Sequence, residues 1–197
     1  MVLQARGERT MDTETAELRL LEAAEALFDE RGVQAVGMDA IRTASGVSLK
    51  RLYQLFPSKD HLVWAVLNRR DTAVREAIAA HGARHAGTPY ERALAVFDYL
   101  GAWFADPGFR GCAFINTFGE MGGISPDVAD IARGHKQAVR EYFAEQTTAL
   151  GAPTELADQL ALLANGAMAV AGINGSPEPA AQAKNAARVL LDAALTP

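Results

Sequence analysis

Three times along this chain a hydroxyl residue is followed at once by proline and then, one or two positions later, by an acid. The stretches are Thr88-Pro89-Tyr90-Glu91, Ser125-Pro126-Asp127 and Ser176-Pro177-Glu178. Each part of the pattern answers a need of a helix N-terminus. The hydroxyl accepts from an orphan amide, proline fills a position whose N–H has no helical partner, and the acid faces the positive end of the helix dipole. Ser58-Lys59-Asp60, just after Pro57, reads as another start. Arg31-Gly32, Gly46, Asp106-Pro107 and Gly151-Ala152-Pro153 read as stops. No stretch alternates apolar and polar residues with β-branched enrichment, so no strand is predicted. The expected fold class is all-α.

Periodicity points the same way. Leu20, Leu21, Ala24, Leu27 and Phe28 form one apolar stripe, with Glu22, Glu25 and Asp29 opposite. A second stripe, from Leu62, Val63, Val66 and Leu67 to Val74 and Ile78, runs through a longer helix. The expected helices, about nine in all, cover 13–31, 38–45, 49–55, 58–81, 88–105, 110–121, 126–150, 154–173 and 177–195. The first three are short and closely spaced. They suggest an N-terminal arm and small head over 1–57, a connecting helix over 58–82 and a helical body over 83–197.

The chain has 197 residues and a net charge of −5, which at first sight argues against nucleic acid. Distribution matters more than the sum. Between Met38 and Lys59 four bases face one acid, whereas from Ala83 onward eight bases face twelve acids. A basic island thus lies in an acidic protein. Cys112 is the single cysteine and has no internal disulfide partner, which suits a reducing cytoplasm. The first dozen residues lack the apolar segment of a signal peptide. The apolar run Leu160–Ile173 contains Asn165, falls short of the roughly 20 residues of a membrane span, and reads as a buried helix.

The segment from Met38 to Lys59 carries the most chemistry. Two short helices meet at Gly46, where a missing Cβ permits a tight turn. Ile41, Val47, Leu52 and Leu55 are spaced to pack the pair on the first helix. Ser48 can cap the second helix, leaving Leu49, Lys50, Arg51, Tyr53 and Gln54 to face outward. Such a helix fits the major groove, where arginine and lysine read guanine edges and glutamine reads adenine.

Here the chain resembles the TetR family of transcriptional regulators. Ile41, Gly46-Val47-Ser48, Leu52-Tyr53, Phe56 and Ser58-Lys59 match the family's head in order and without gaps. The resemblance covers residues 13 to 70 and extends more loosely through Phe109–Asn116. It implies a three-helix, helix-turn-helix DNA-binding domain followed by a helical ligand-binding and dimerisation domain. By position, Leu49, Lys50, Arg51 and Gln54 would face bases, while Tyr53 and Lys59 would touch phosphates. Two departures stand out. Gly37-Met38 replaces the usual capping threonine, and Arg42 stands where alanine is favoured and must angle outward, toward phosphate or otherwise.

The resemblance also implies that large apolar residues in the body line an effector cavity. Trp103, Phe104, Phe109, Cys112, Phe114, Phe118 and Met121 are the candidates, with Asn116, Thr117, Glu120 and His135 as polar contacts. In the family the last two helices pair across a twofold axis. Leu156, Leu160, Leu163, Ala167, Ala187 and Leu191 are the candidate dimer residues.

The expected protein is therefore a repressor that binds a palindromic operator in double-stranded DNA as a homodimer, in the cytoplasm and away from any membrane. A small apolar or amphipathic effector of unknown identity would release it. No cofactor or metal is expected: His81 and His85 are spaced four apart but have no evident third ligand. An enzyme is disfavoured, for want of a nucleophile elbow, paired carboxylates or a phosphate loop. The alternative is a helical ligand-binding or adaptor protein whose helix-turn-helix no longer binds DNA.

Overall fold

The computed structural model describes residues 12–85 and 87–196. The expected N-terminal arm up to residue 11 lies outside the described residues, as does the side chain of His85. Nine helices and no strand are found among the described residues: α1 (Thr13–Arg31), α2 (Met38–Ser45), α3 (Leu49–Leu55), α4 (Lys59–His85), α5 (Pro89–Phe104), α6 (Ala113–Met121), α7 (Pro126–Ala149), α8 (Glu155–Asn174) and α9 (Glu178–Leu195). Two compact units divide at Val66/Leu67, inside α4. The early turns of α4 thus belong to the first unit and the rest to the second.

In the first unit, α1, α2 and α3 pack on one another around a small core. Leu20, Ile41, Leu52 and Leu62 are fully buried in it, joined by Val36, Val47 and Phe56. Fully burying side chains of this size stabilises the unit by about 1.5–3 kcal/mol each. Gly46 joins α2 to α3 with φ at +68°, and its N–H donates to the Arg42 carbonyl. A β-carbon is disfavoured in that left-handed conformation, so glycine is the residue that lets the chain turn so sharply.

The second unit is built on α5, α7, α8 and α9, with α6 against α7. The predicted capping box at α5 forms in full. The Thr88 hydroxyl accepts from the Glu91 amide, and the Glu91 carboxylate accepts from the Thr88 amide. Phe97 and Phe143 are buried at the centre, with ring centroids 6.0 Å apart. Of the described helices, α8 alone has the length and apolarity of a membrane span. That composition serves two faces, one buried against α5, α7 and α9 and one open.

Candidate functional site

The first unit presents α3 outward. Ser48 caps it, its hydroxyl accepting from the Arg51 amide at 3.3 Å. A seven-residue helix has one side to anchor and one to show, and Leu52 is the anchor, wholly buried. Around the rest of the helix Leu49, Lys50, Tyr53 and Gln54 are all exposed. Tyr53 is 48% and Leu49 43% accessible, high for side chains of that size beside a well-formed core. Arg51 is half-buried, and its guanidinium donates to the Thr13 hydroxyl at the start of α1. Lys59 reaches the Gln34 carbonyl with its Nζ, at 3.4 Å.

The two departures noted in the sequence have visible outcomes. Gly37 gives α2 no side-chain cap. Arg42 does angle outward, where its Nε donates to Asp39 Oδ1 at 2.7 Å and its Nη2 to the Thr43 hydroxyl. The pair is solvent-facing and adds little stability, on the order of 0–1 kcal/mol. It places a guanidinium on the surface of α2, already shared with an acid.

The second unit encloses a narrow apolar cavity, whose open volume of about 20 Å³ is no larger than one water requires. Its walls come from Arg70, Val74 and Ile78 on α4, Val96, Leu100 and Trp103 on α5, and Cys112, Ala113 and Phe114 at the start of α6. His135 and Val139 on α7 and Ala164 and Met168 on α8 complete them. Of the eight expected pocket residues, Trp103, Cys112 and Phe114 are here.

The other five are not among the walls, for reasons of helix geometry. Phe104 and Phe109 pack with Trp103 in an aromatic cluster, with Trp103–Phe109 centroids 5.0 Å apart in an edge-on arrangement. On α6, a period of 3.6 turns Phe114, Thr117 and Met121 inward and Phe118 outward, where it is exposed. Asn116 is exposed and donates to the Arg110 carbonyl at 3.0 Å, which holds the preceding loop. Met121 is buried but lies off the cavity.

Two polar groups brace the cavity wall. Lys136 donates to Asn165 Oδ1 at 2.6 Å and touches the buried Cys112 thiol at 3.3 Å. His135 is 3% exposed and stacks on Phe114 with centroids 3.7 Å apart and planes within 7°. Its Nδ1 lies 2.7 Å from Asp71 Oδ1 on α4, and Asp71 also binds Arg75. Burial pushes the His135 pKa below its ordinary 6.5, Asp71 opposes that shift, and the charges of Lys136 and Arg75 add to it. The folded protein therefore resists protonating this ring more than the unfolded chain does. The stability this confers is present above about pH 6.5 and lost as pH falls below it. Acidification from about pH 7.5 to about pH 5.5 will lower the thermal midpoint, and His135→Gln will flatten that slope.

Of the six expected dimer residues, Leu156, Leu160, Ala187 and Leu191 are buried within the unit. An open apolar groove lies beside them, lined by Leu162, Gly166, Val170, Gln182 and Ala186, with Leu163 and Ala167 at its floor. Leu162 is 71% and Val189 67% exposed, with Val170 and Ile173 also bare. These side chains make a largely apolar surface on the paired helices.

This architecture and head have close parallels. The sequence pattern of the bacterial regulatory proteins of the tetR family matches residues 20–66. A TetR-family transcriptional regulator from Streptomyces coelicolor superposes with a TM-score of 0.85 at 28% identity, covering 92% of this chain and 91% of that one. A putative TetR transcriptional regulator from Streptomyces avermitilis is 34% identical over 91% of this chain and 97% of its own, with a TM-score of 0.79. The HTH-type transcriptional repressor KstR of Mycolicibacterium smegmatis is 36% identical over 74 residues, which is 38% of this chain but only 36% of that relative's length. A reading helix on a capped three-helix head, a helical body behind it, and identity sustained over nearly the whole of a solved relative together place this chain in the TetR family of DNA-binding transcriptional regulators.

Proposed function

We propose that the protein is a repressor that binds a palindromic operator as a homodimer and releases it when a small apolar or amphipathic effector enters the cavity of the body. The observation that carries the DNA half is the outward face of α3, where Leu49, Lys50, Tyr53 and Gln54 stand exposed over a buried Leu52. In this reading Lys50, Arg51 and Gln54 take base edges and Leu49 takes a thymine methyl, while Tyr53, Lys59 and Arg42 hold phosphates. The apolar groove on α8 and α9 takes the same groove of a second copy, a self-complementary contact that spaces two heads for two half-sites.

Effector and operator act through one linkage. Whatever factor the effector takes from DNA affinity, DNA takes from effector affinity. Moving the population from about 99% bound to about 1% requires roughly 5.5 kcal/mol of differential affinity. A gel shift against the region upstream of the protein's own gene, at two salt concentrations, tests the DNA half. Absence of any shift at low salt would favour a helical adaptor that has lost DNA binding.

Single substitutions separate the contact classes. Lys59→Ala or Tyr53→Phe will weaken operator and scrambled DNA alike, and Lys59→Ala will reduce the slope of log affinity against log salt by about 1. Arg51→Ala will weaken the operator by about 1–3 kcal/mol and relax selectivity at particular base pairs, as read by competition binding on a substituted operator series. Equal losses on operator and scrambled DNA would remove Arg51 from the base-facing set.

A further inference from the structure

Among the polar groups at the cavity of the body, His135 is the one whose orientation is fixed from two sides. His135 is 97% buried in its wall, and Asp71 takes its Nδ1 at 2.7 Å. A carboxylate only accepts, so Nδ1 carries the proton and donates. The ring is held in that tautomer from one side by Asp71 and in its plane by the Phe114 stack. Burial works against a second proton on the ring. Nε2 is then the ring nitrogen left with a lone pair to offer, on a side chain that lines a cavity whose wall is otherwise mostly hydrocarbon and aromatic.

We infer that the effector is a neutral, flat, mainly apolar molecule bearing one hydroxyl, which donates to His135 Nε2 while the apolar part lies between Trp103 and Phe114. This rests on the reading of the cavity as the effector site. Three properties of the wall select that chemistry. A purely apolar ligand leaves the Nε2 lone pair without a donor once the cavity is filled, an omission that should weaken binding by about tenfold or more. A ligand that only accepts, such as a ketone or ether, sets lone pair against lone pair at Nε2. A carboxylate would have to be stripped of water in an apolar slot, with Asp71 directly behind the imidazole. Arg70 also lines the cavity, and an anion would have to be held there.

Entry requires movement, because the open volume of about 20 Å³ admits a hydroxyl-sized group and nothing larger. Trp103 is the half-exposed aromatic wall and packs edge-on against Phe109, so it is the side chain placed to yield. Its indole then reports occupancy. The other tryptophan, Trp64, is exposed in the first unit and is removed by Trp64→Phe.

The test uses the full-length Trp64→Phe protein and three probes of one shape: p-cresol, p-xylene and p-toluate. The expected result is that p-cresol shifts Trp103 emission and binds at least about tenfold more tightly than p-xylene, with p-toluate weakest. In protein labelled with 15N-histidine, p-cresol should move the His135 Nε2 resonance and p-xylene should not. His135→Phe keeps the stack on Phe114 and should erase the preference for p-cresol. The 15N measurement on the unsubstituted ring decides the matter even if that variant fails to fold. Equal affinity for p-cresol and p-xylene would overturn the hydroxyl assignment and leave the cavity as the effector site. Tightest binding by p-toluate would overturn it in favour of an anion held by Arg70. No response of Trp103 to any probe would overturn both this inference and the cavity reading beneath it.

Discussion

Leu162→Asp combined with Val170→Asp will separate the proposed dimer into monomers and weaken operator binding by roughly a hundredfold or more. Both side chains stand in the open groove of α8 and α9, at 71% and 44% exposure. Their replacement touches nothing in the core of the unit, so monomer stability should stay within about 0.5 kcal/mol of wild type. In the paired state the carboxylates would meet their own symmetry mates in an apolar contact, where like charges without counter-ions are strongly disfavoured. Sedimentation velocity reads the oligomeric state, and a gel shift reads the lost half-site. A double variant that remains dimeric would move the interface elsewhere. A variant that becomes monomeric yet keeps full operator affinity would end the two-head account of binding.

Leu52→Ala will destabilise the first unit by about 2–5 kcal/mol. Leu52 has no accessible surface and lies in a core that includes Leu20, Ile41, Val47 and Phe56. That core is small, and a loss of this size is a large fraction of what a unit of about 60 residues can hold in reserve. Hydrogen exchange should show the amides of α1 to α3 losing protection while those of α5, α7 and α8 keep theirs. The companion variant Leu49→Ala, on the exposed side of the same short helix, should change stability by no more than about 0.5 kcal/mol and act only on DNA affinity. Similar melting losses for the two variants would mean that α3 does not have one inward and one outward side.

How much of this was legible in the residues depended on whether the cause was local. Helix α3 begins and ends where expected because Gly46, Ser48 and Leu52 act within seven consecutive residues. Helix α4 did not stop near residue 81, although Gly82 looks like a terminator. Gly82 is buried, and a β-carbon there would collide with the Tyr142 hydroxyl of α7. The tip of the Tyr142 side chain occupies that space, and α4 runs on despite the roughly 1 kcal/mol helix penalty of glycine. Helix α6 starts at Ala113, three residues later than expected, because Cys112 is still in extended conformation.

The cavity was hardest to read. The aromatic residues between Trp103 and Met121 are neighbours in the chain, but the cavity draws its walls from α4, α5, α7 and α8 as well as the start of α6. Val74, Leu100, Val139 and Met168 carry no mark that separates them from ordinary core. Which face of α8 is open was hard to read for a related reason. Helix α8 has two apolar stripes, one through Leu156 and Leu160 and one through Leu162 and Val170. Only packing partners decide which stripe is spent inside the unit.

In the proposed base-facing role, Arg51 would have to give up its bond to the Thr13 hydroxyl, so an encounter with DNA would be an exchange of partners. A guanidinium that already has a partner would gain little by turning toward a phosphate-lined groove at a random position. It would gain most where a guanine edge offers two acceptors in the geometry its fork requires. Searching and settling would thereby become different states of one side chain, with a threonine at the start of α1 as its resting place.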